Sequence, residues 1–360
     1  MLMQSKDAAP DTPKLAGAIL AEAASRSASD IHIEPTQAGH DVRYRIDGLL
    51  ASTQQLTGGQ GRSLVTRLMV MAQLLTYRLD VPQEGRITVS LPGFDTPLTL
   101  RLAIMPTTHG LRAVVRLPAE LNQPRMLSAL NLPQPTLDAL HRFAREEAGM
   151  LLVTGPAGSG KTTTIYALLE HIGRTSPGAS IIALEDPVER DLRGVTQIQV
   201  QPFGELTYER ALRSILRQDP QVLMLGEIRD AQTASLAIQA ALTGHRLIAT
   251  LHAGTPGGAI ARLLEMGIEP YQVTSTLFAV VTQRLVRGVD EQGRYAGRLP
   301  VAEILTSDAA LRQAILDRTD ASTLNQQVRF TMRDAAAALI DAKRTDQAEI
   351  NRVLGPRENS

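Results

Sequence analysis

The segment GPAGSGKTTT at positions 155–164 carries the most specific chemistry in this chain. It matches G-x-x-x-x-G-K-[ST] between an apolar run, MLLVT, and a helix-forming run, TTTIYALLEHI, which is the strand–loop–helix context the motif requires. Gly155, Gly158 and Gly160, with Pro156, Ala157 and Ser159 between them, let backbone N–H groups curl around phosphate oxygens. The following helix adds the positive end of its dipole. Lys161 supplies a point charge for the β- and γ-phosphates; Thr162, followed by Thr163, offers a hydroxyl to Mg²⁺. The ligands these residues call for are ATP and Mg²⁺.

Hydrolysis needs more than a cradle. One carboxylate must hold metal-bound water, and one must orient or deprotonate the attacking water. SIIALEDPVER places Glu185 just past one apolar run, and QVLMLGEIRD places Glu227 just past another. In open α/β sheets ligands gather at the carboxyl ends of strands, so both carboxylates should face the phosphate loop. The alternative for each is a helix cap or a salt bridge; Asp230 reads as the cap of AQTASLAIQAAL. His245 and His252 flank the run RLIATL. His252 reads as a sensor of the γ-phosphate or as an ordinary loop histidine; two histidines without further ligands make a poor metal site. Arg101, Arg112 and Arg116 lie on a hairpin that turns near Thr108. Arg210, Arg213 and Arg217 recur at helical spacing, as a functional or merely solvated face.

These residues need elements to position them. The runs MLLVT, SIIAL, QVLML and RLIATL are short, continuous and separated by helical stretches, the pattern of a parallel sheet buried on both faces. Upstream the pattern differs. Leu15, Ile19 and Ala23 mark a helix, SDIHIEP and DVRYRIDGLL alternate as strands, a helix follows over 62–75, and three further strand-like runs end near Pro118. An α+β domain over 1–118, a linker over 119–134 and an α/β domain over 135–360 with a helical tail follow from this order.

Composition narrows the classes. Thirty-seven basic and 37 acidic residues cancel, and aromatic residues make up 3%, so neither an electrostatic footprint nor stacking platforms for nucleic acid are evident. The chain has no cysteine, which removes disulfides, thiol nucleophiles and Cys-based zinc sites. No apolar run approaches the ~20 residues of a membrane span, and the polar start lacks the core of a signal peptide. A cytoplasmic protein, held at a membrane by a partner, is the expectation.

In order and spacing, GPAGSGKTTT, ALEDPVER, RSILRQDPQVLMLGEIRDAQTA and TGHRLIATLHAG resemble the four nucleotide-site boxes of the ATPases that drive type II secretion and type IV pili. SASDIHIEP, VRYRIDG, PQEGRI and RLAIMPTTHGLRAVVRL are similar to the N-terminal domain of the secretion and pilus-assembly branch. The resemblance implies a PAS-like domain linked to a RecA-like domain, in a homohexameric ring acting on an inner-membrane platform or docking protein. It implies Glu185 as catalytic carboxylate, Glu227 as the Walker B acid and His252 in the histidine box. Arg101 and Arg116 would reach the nucleotide, with Arg213, Arg217 and Arg284 as supporting cations. The four-cysteine zinc insertion found in many such ATPases has no counterpart after TQRLVR, and the extra N-terminal docking domain is absent from this sequence. The competing functions are a pilus retraction motor, a RecA-like DNA motor and an ATP-binding scaffold without turnover.

Overall fold

The computed structural model describes residues 11–118, 126–201 and 204–356. The chain divides into two compact units at Asn122/Gln123.

The first unit opens with α1 (Thr12–Ser25), capped by Asp11. The strands β1 (Asp30–Pro35), β2 (His40–Ile46) and β3 (Leu49–Leu56) follow, then α2 (Gly58–Met71) and the strands β4 (Gln83–Val89), β5 (Leu98–Thr107) and β6 (Gly110–Arg116). They form one antiparallel sheet in the order β3-β2-β1-β6-β5-β4. Along β5, Leu98, Leu100, Leu102 and Ile104 are buried while Thr99, Arg101, Ala103 and Met105 are exposed, so one face meets the helices and the other meets solvent. Tyr44 is buried under α1, and its hydroxyl donates to the Ile19 carbonyl at 3.1 Å.

Two details depart from the sequence reading. The helix expected over 62–75 begins at Gly58, despite three early glycines, because Thr57 and Gln60 form a reciprocal capping box. The run DVRYRIDGLL is not one strand: Asp47 and Gly48 take positive φ and turn the chain into β3, whose residues are mostly exposed and so carry no apolar alternation.

In the second unit a 3-10 turn (Leu127–Ala129) and α3 (Gln134–Phe143) precede the sheet. Within the expected linker, residues 119–125 lie outside the described residues. Leu127, Leu130 and Leu132 are buried against α3 and the helix after the phosphate loop, so 126–134 pack as part of this unit. The strands β7 (Gly149–Thr154), β8 (Ile181–Glu185), β9 (Thr196–Gln199), β10 (Val222–Leu225), β11 (Arg246–Leu251), β12 (Leu277–Val289) and β13 (Tyr295–Thr306) form a sheet in the order β13-β12-β7-β11-β10-β8-β9. All neighbours pair in parallel except β12 and β13. Around the sheet lie α4 (Lys161–Thr175), α5 (Tyr208–Ile215), α6 (Ala231–Leu242), α7 (Pro256–Glu265) and α8 (Pro270–Thr276). The tail holds α9 (Ala309–Leu316), α10 (Ala321–Asn325), α11 (Met332–Asp341) and α12 (Gln347–Leu354).

The four apolar runs become β7, β8, β10 and β11, the inner part of a mixed α/β fold. Asp230 caps α6, accepting from Thr233 N at 2.8 Å. Among the described residues no helix is long and apolar enough to cross a membrane.

Candidate nucleotide site

The parallel register brings the carboxyl ends of β7, β11, β10 and β8 to one edge of the sheet. From that edge come the loop 155–160 after β7, His252 after β11, Glu227 after β10 and Glu185 at the end of β8.

The phosphate loop turns on residues only glycine tolerates. Gly155 has φ +135° and Gly160 has φ +89°. A Cβ on Gly155 would strike the Gln283 carbonyl, and one on Gly160 would lie 2.7 Å from the Gln283 amide nitrogen. Gly160 caps α4, so the first N–H groups of that helix point into the loop. Lys161 Nζ donates to the carbonyls of Gly155 at 2.8 Å and Pro156 at 2.9 Å. Burial lowers its pKa, and the nearby Glu227 carboxylate acts to raise it. Ser159 is buried, and its hydroxyl has no hydrogen-bond partner among the described residues. Pro156, Ala157 and Gly158 are exposed, whereas Thr162 and Thr163 are half-buried on the first turn of α4.

Both carboxylates expected here are near-buried, but their surroundings differ. Glu227 accepts from Arg229 Nε at 2.5 Å through Oε2 and meets His252 Nε2 at 2.8 Å through Oε1. Arg229 also reaches Asp186 at 3.5 Å. Glu185 is 3% exposed. Its Oε2 accepts from the Tyr166 hydroxyl, and its Oε1 accepts from the Gln197 amide at 2.9 Å. Burial pushes the Glu185 pKa up; those two hydrogen bonds act to lower it. The arrangement can seat phosphate oxygens on backbone N–H groups, balance their charge with Lys161, and present two acids of different character to a reacting centre.

The arginines are distributed more widely. Arg101 and Arg116 lie directly opposite one another on β5 and β6, and Arg86 stands opposite Arg101 on β4. Three exposed arginines thus form one cross-strand row, of which the sequence reading found two. Arg116 Nε donates to the buried Asp30 at 3.0 Å, and Arg112 pairs instead with Glu34 at 2.7 Å. Arg213 is exposed and pairs with Glu209 along α5. Arg217 is not on that helix: α5 stops at Ile215 because Asp219 takes φ +50° and precedes Pro220, which disfavours further helix. The expected single face of Arg210, Arg213 and Arg217 therefore does not form. Arg284 sits on β12 with its guanidinium donating to the Val353 carbonyl at 2.6 Å. Its side chain points to the face opposite that of Gln283, away from the phosphate loop.

Gln283 escaped the sequence reading. It is 2% exposed, donates to the Ser159 carbonyl at 2.9 Å and accepts from the Thr164 hydroxyl at 2.9 Å. Its only signal is an amide in the middle of the apolar run FAVVTQRLV.

Comparison with known proteins bears on this geometry. The model of the family described as Type II/IV secretion system protein matches residues 4–353. The chain is 38% identical to type II secretion system protein HxcR of Pseudomonas aeruginosa, over 98% of this chain and 79% of that protein. It is 38% identical to type II secretion system ATPase E of Vibrio cholerae, over 92% of this chain and 72% of the relative. Among solved structures, the ATPase DotB of Legionella pneumophila shares the fold with TM-score 0.75 at 22% identity, covering 96% of this chain and 97% of that one. The pilus retraction motor PilT, solved with ADP, aligns with TM-score 0.64 at 26% identity, covering 95% of this chain and 96% of its own. A match spanning both units, joined to a loop and acid set at one sheet edge, leaves one conclusion: the chain belongs to the type II/IV secretion system protein family of secretion ATPases.

Proposed function

We propose that this protein hydrolyses ATP at the 155–164 loop and spends the energy as mechanical work for type II secretion or type IV pilus assembly. The observation that carries the reading is the file of polar groups at the ends of four adjacent strands: the loop on β7, His252 on β11, Glu227 on β10 and Glu185 on β8. In this reading Gly155–Thr163 cradle the phosphates, Lys161 neutralises their charge, and Glu185 takes the proton of the attacking water. His252, joined to Glu227, reports on the γ-phosphate.

The residues fit a Mg²⁺ ion. Thr162 offers a hydroxyl at the helix start, and Glu227, with both oxygens already held, would reach the ion through water. Bound there, the ion would offset charge on the β- and γ-phosphates. The orphaned Ser159 hydroxyl supports a ligand in the loop.

A RecA-like reading of the second unit agrees with its sheet order, and a PAS-like first unit with its antiparallel sheet under two helices. We propose a cytoplasmic homohexamer recruited by an inner-membrane partner. In the ring Arg101 and Arg116 would meet phosphates, with Arg213 and Arg217 as weaker supporting groups. Arg284, committed to Val353, acts through the fold. Retraction is the second reading, favoured by the likeness to PilT; the higher identity to the type II secretion relatives favours export.

The test is Glu185→Gln. We expect turnover to fall about 10²–10⁴-fold with ATP binding retained, and the variant to fail to restore export or pili to a deletion strain of the native host. Full turnover in the variant would remove Glu185 from the chemistry.

A further inference from the structure

Tyr166 is fully buried on α4, one turn beyond Thr162, in the helix that directly follows the phosphate loop. Its hydroxyl contacts the last residue of β8 and the segment that follows, where the Arg190 backbone N–H also bears on it. It donates to Glu185 Oε2, and it accepts from the Glu189 backbone N–H at 3.2 Å. Burial, and next the Glu185 carboxylate, push the Tyr166 pKa far above its ordinary value, so the hydroxyl keeps its proton and serves as a donor. The ring is gripped on its face by the Arg190 guanidinium, 5.1 Å from the centroid, and Arg190 is itself fixed by Glu170 at 2.8 Å. On the other side Gln197 donates to Glu185 Oε1 at 2.9 Å and to the Arg190 carbonyl at 2.9 Å.

Two of these donors therefore fix the Glu185 carboxylate in rotation while spending one lone pair on each oxygen. An oxygen of an ionised carboxylate has two lone pairs, so one remains on each for a further proton. A tyrosine serving only the core would need one partner for its hydroxyl. This one reaches both ends of the 185–189 turn, and it does so from the helix that would hold the phosphates.

We propose that Tyr166 is a positioning residue for ATP hydrolysis, with Gln197 as its counterpart: it ties the water-activating carboxylate to the helix that carries the phosphate loop. The proposal rests on Glu185 being the base. In the step it serves, the oxygen of water bonds to the γ-phosphorus as the bond to the β,γ-bridging oxygen breaks. The electron pair leaves with ADP, and the water proton passes to Glu185. One helix then sets the distance between the acceptor of that proton and the γ-phosphate.

The test uses full-length protein and Mg-ATP, with wild type, Tyr166→Phe, Glu185→Gln and the double variant. Phenylalanine keeps the ring under Arg190 and removes only the hydroxyl. A hydrogen bond to a charged group lost from the transition state lowers kcat about tenfold or more, and KM should stay within about twofold. The groups facing Glu185 are Tyr166 from α4, Gln197 from β9, Glu189 from the following loop and Tyr208 from α5. Losing a donor to the carboxylate raises its pKa, so the acid limb of kcat should move to higher pH in Tyr166→Phe and, independently, in Gln197→Leu. In the Glu185→Gln background the tyrosine substitution should cost nothing more. An unchanged kcat, or the same loss in both backgrounds, would overturn the positioning role while leaving Glu185 as the base. Wild-type turnover in Glu185→Gln alone would instead sink the reading beneath it.

Discussion

A glutamine buried in an apolar strand must satisfy both ends of its amide, and Gln283 does so entirely within the phosphate loop and its helix. Replacing it by leucine of similar volume leaves the Ser159 carbonyl and the Thr164 hydroxyl without those partners, at about 1–3 kcal/mol for each buried group left unsatisfied. The expected outcome for Gln283→Leu is a KM for ATP raised about tenfold with kcat much less affected, measured by steady-state kinetics alongside a melting curve. The contrast with Lys161 explains what sequence could and could not give at this scale. Lys161 belongs to an eight-position pattern whose four specified residue types follow from phosphate chemistry, and it was legible. Gln283 touches the same loop from 119 positions away from Thr164, and nothing local marks it. Tyr166 is similar: within TTTIYALL it reads as an ordinary core aromatic, and only the tertiary contact with Glu185 gives it a role.

Elements were legible where burial on both faces made them continuous. The runs that became β7, β8, β10 and β11 stand out for that reason, while β3 and β9, each with exposed positions, do not. The pair β12 and β13 escaped because arginine, glycine and proline interrupt its apolar pattern. β12 is secured to the tail by an apolar cluster of Val286 with Met332, Ala335, Ala336 and Ile350, and by a buried ionic contact. Glu349 on α12 is fully buried, and accepts from the Arg287 side chain at 2.7 Å, the Arg287 N–H at 2.9 Å and Arg352 at 2.5 Å. Burial acts to raise its pKa, but the Arg352 and Arg287 hydrogen bonds outweigh it and hold the group at about 2, against an ordinary 4.5. A carboxylate depressed in the folded state adds stability that is fully present above its unfolded pKa and drains away as pH falls toward the folded one. The stability of this unit should therefore decline between roughly pH 5 and 2, and Glu349→Gln should flatten that dependence while costing about 3 kcal/mol at neutral pH. Urea titrations across pH test both.

At the scale of the whole molecule the formal charge is zero, so assembly of copies faces no global repulsion. If the site is completed only in a ring, specific ATPase activity should rise with protein concentration, in step with the hexamer fraction seen by sedimentation. Arg101→Ala and Arg116→Ala should lower kcat in that regime by about tenfold or more without changing the concentration midpoint. A flat activity profile from monomer to assembled protein would speak against a shared site. The three-arginine row also makes Arg86 the natural third member to test, since like charges set directly across strands cost stability unless an anion offsets them.

Neighbouring residues of a strand face opposite ways, and on β12 that alternation has a mechanical result. Gln283 grips the phosphate loop from one face; Arg284, the next residue, grips the last turn of α12 from the other. A strand cannot slide by one position without exchanging its two faces. A movement of α12 that keeps its bond to Arg284 must therefore carry β12 with it, and with β12 the Gln283 contacts to the loop; a movement that breaks that bond leaves the loop held.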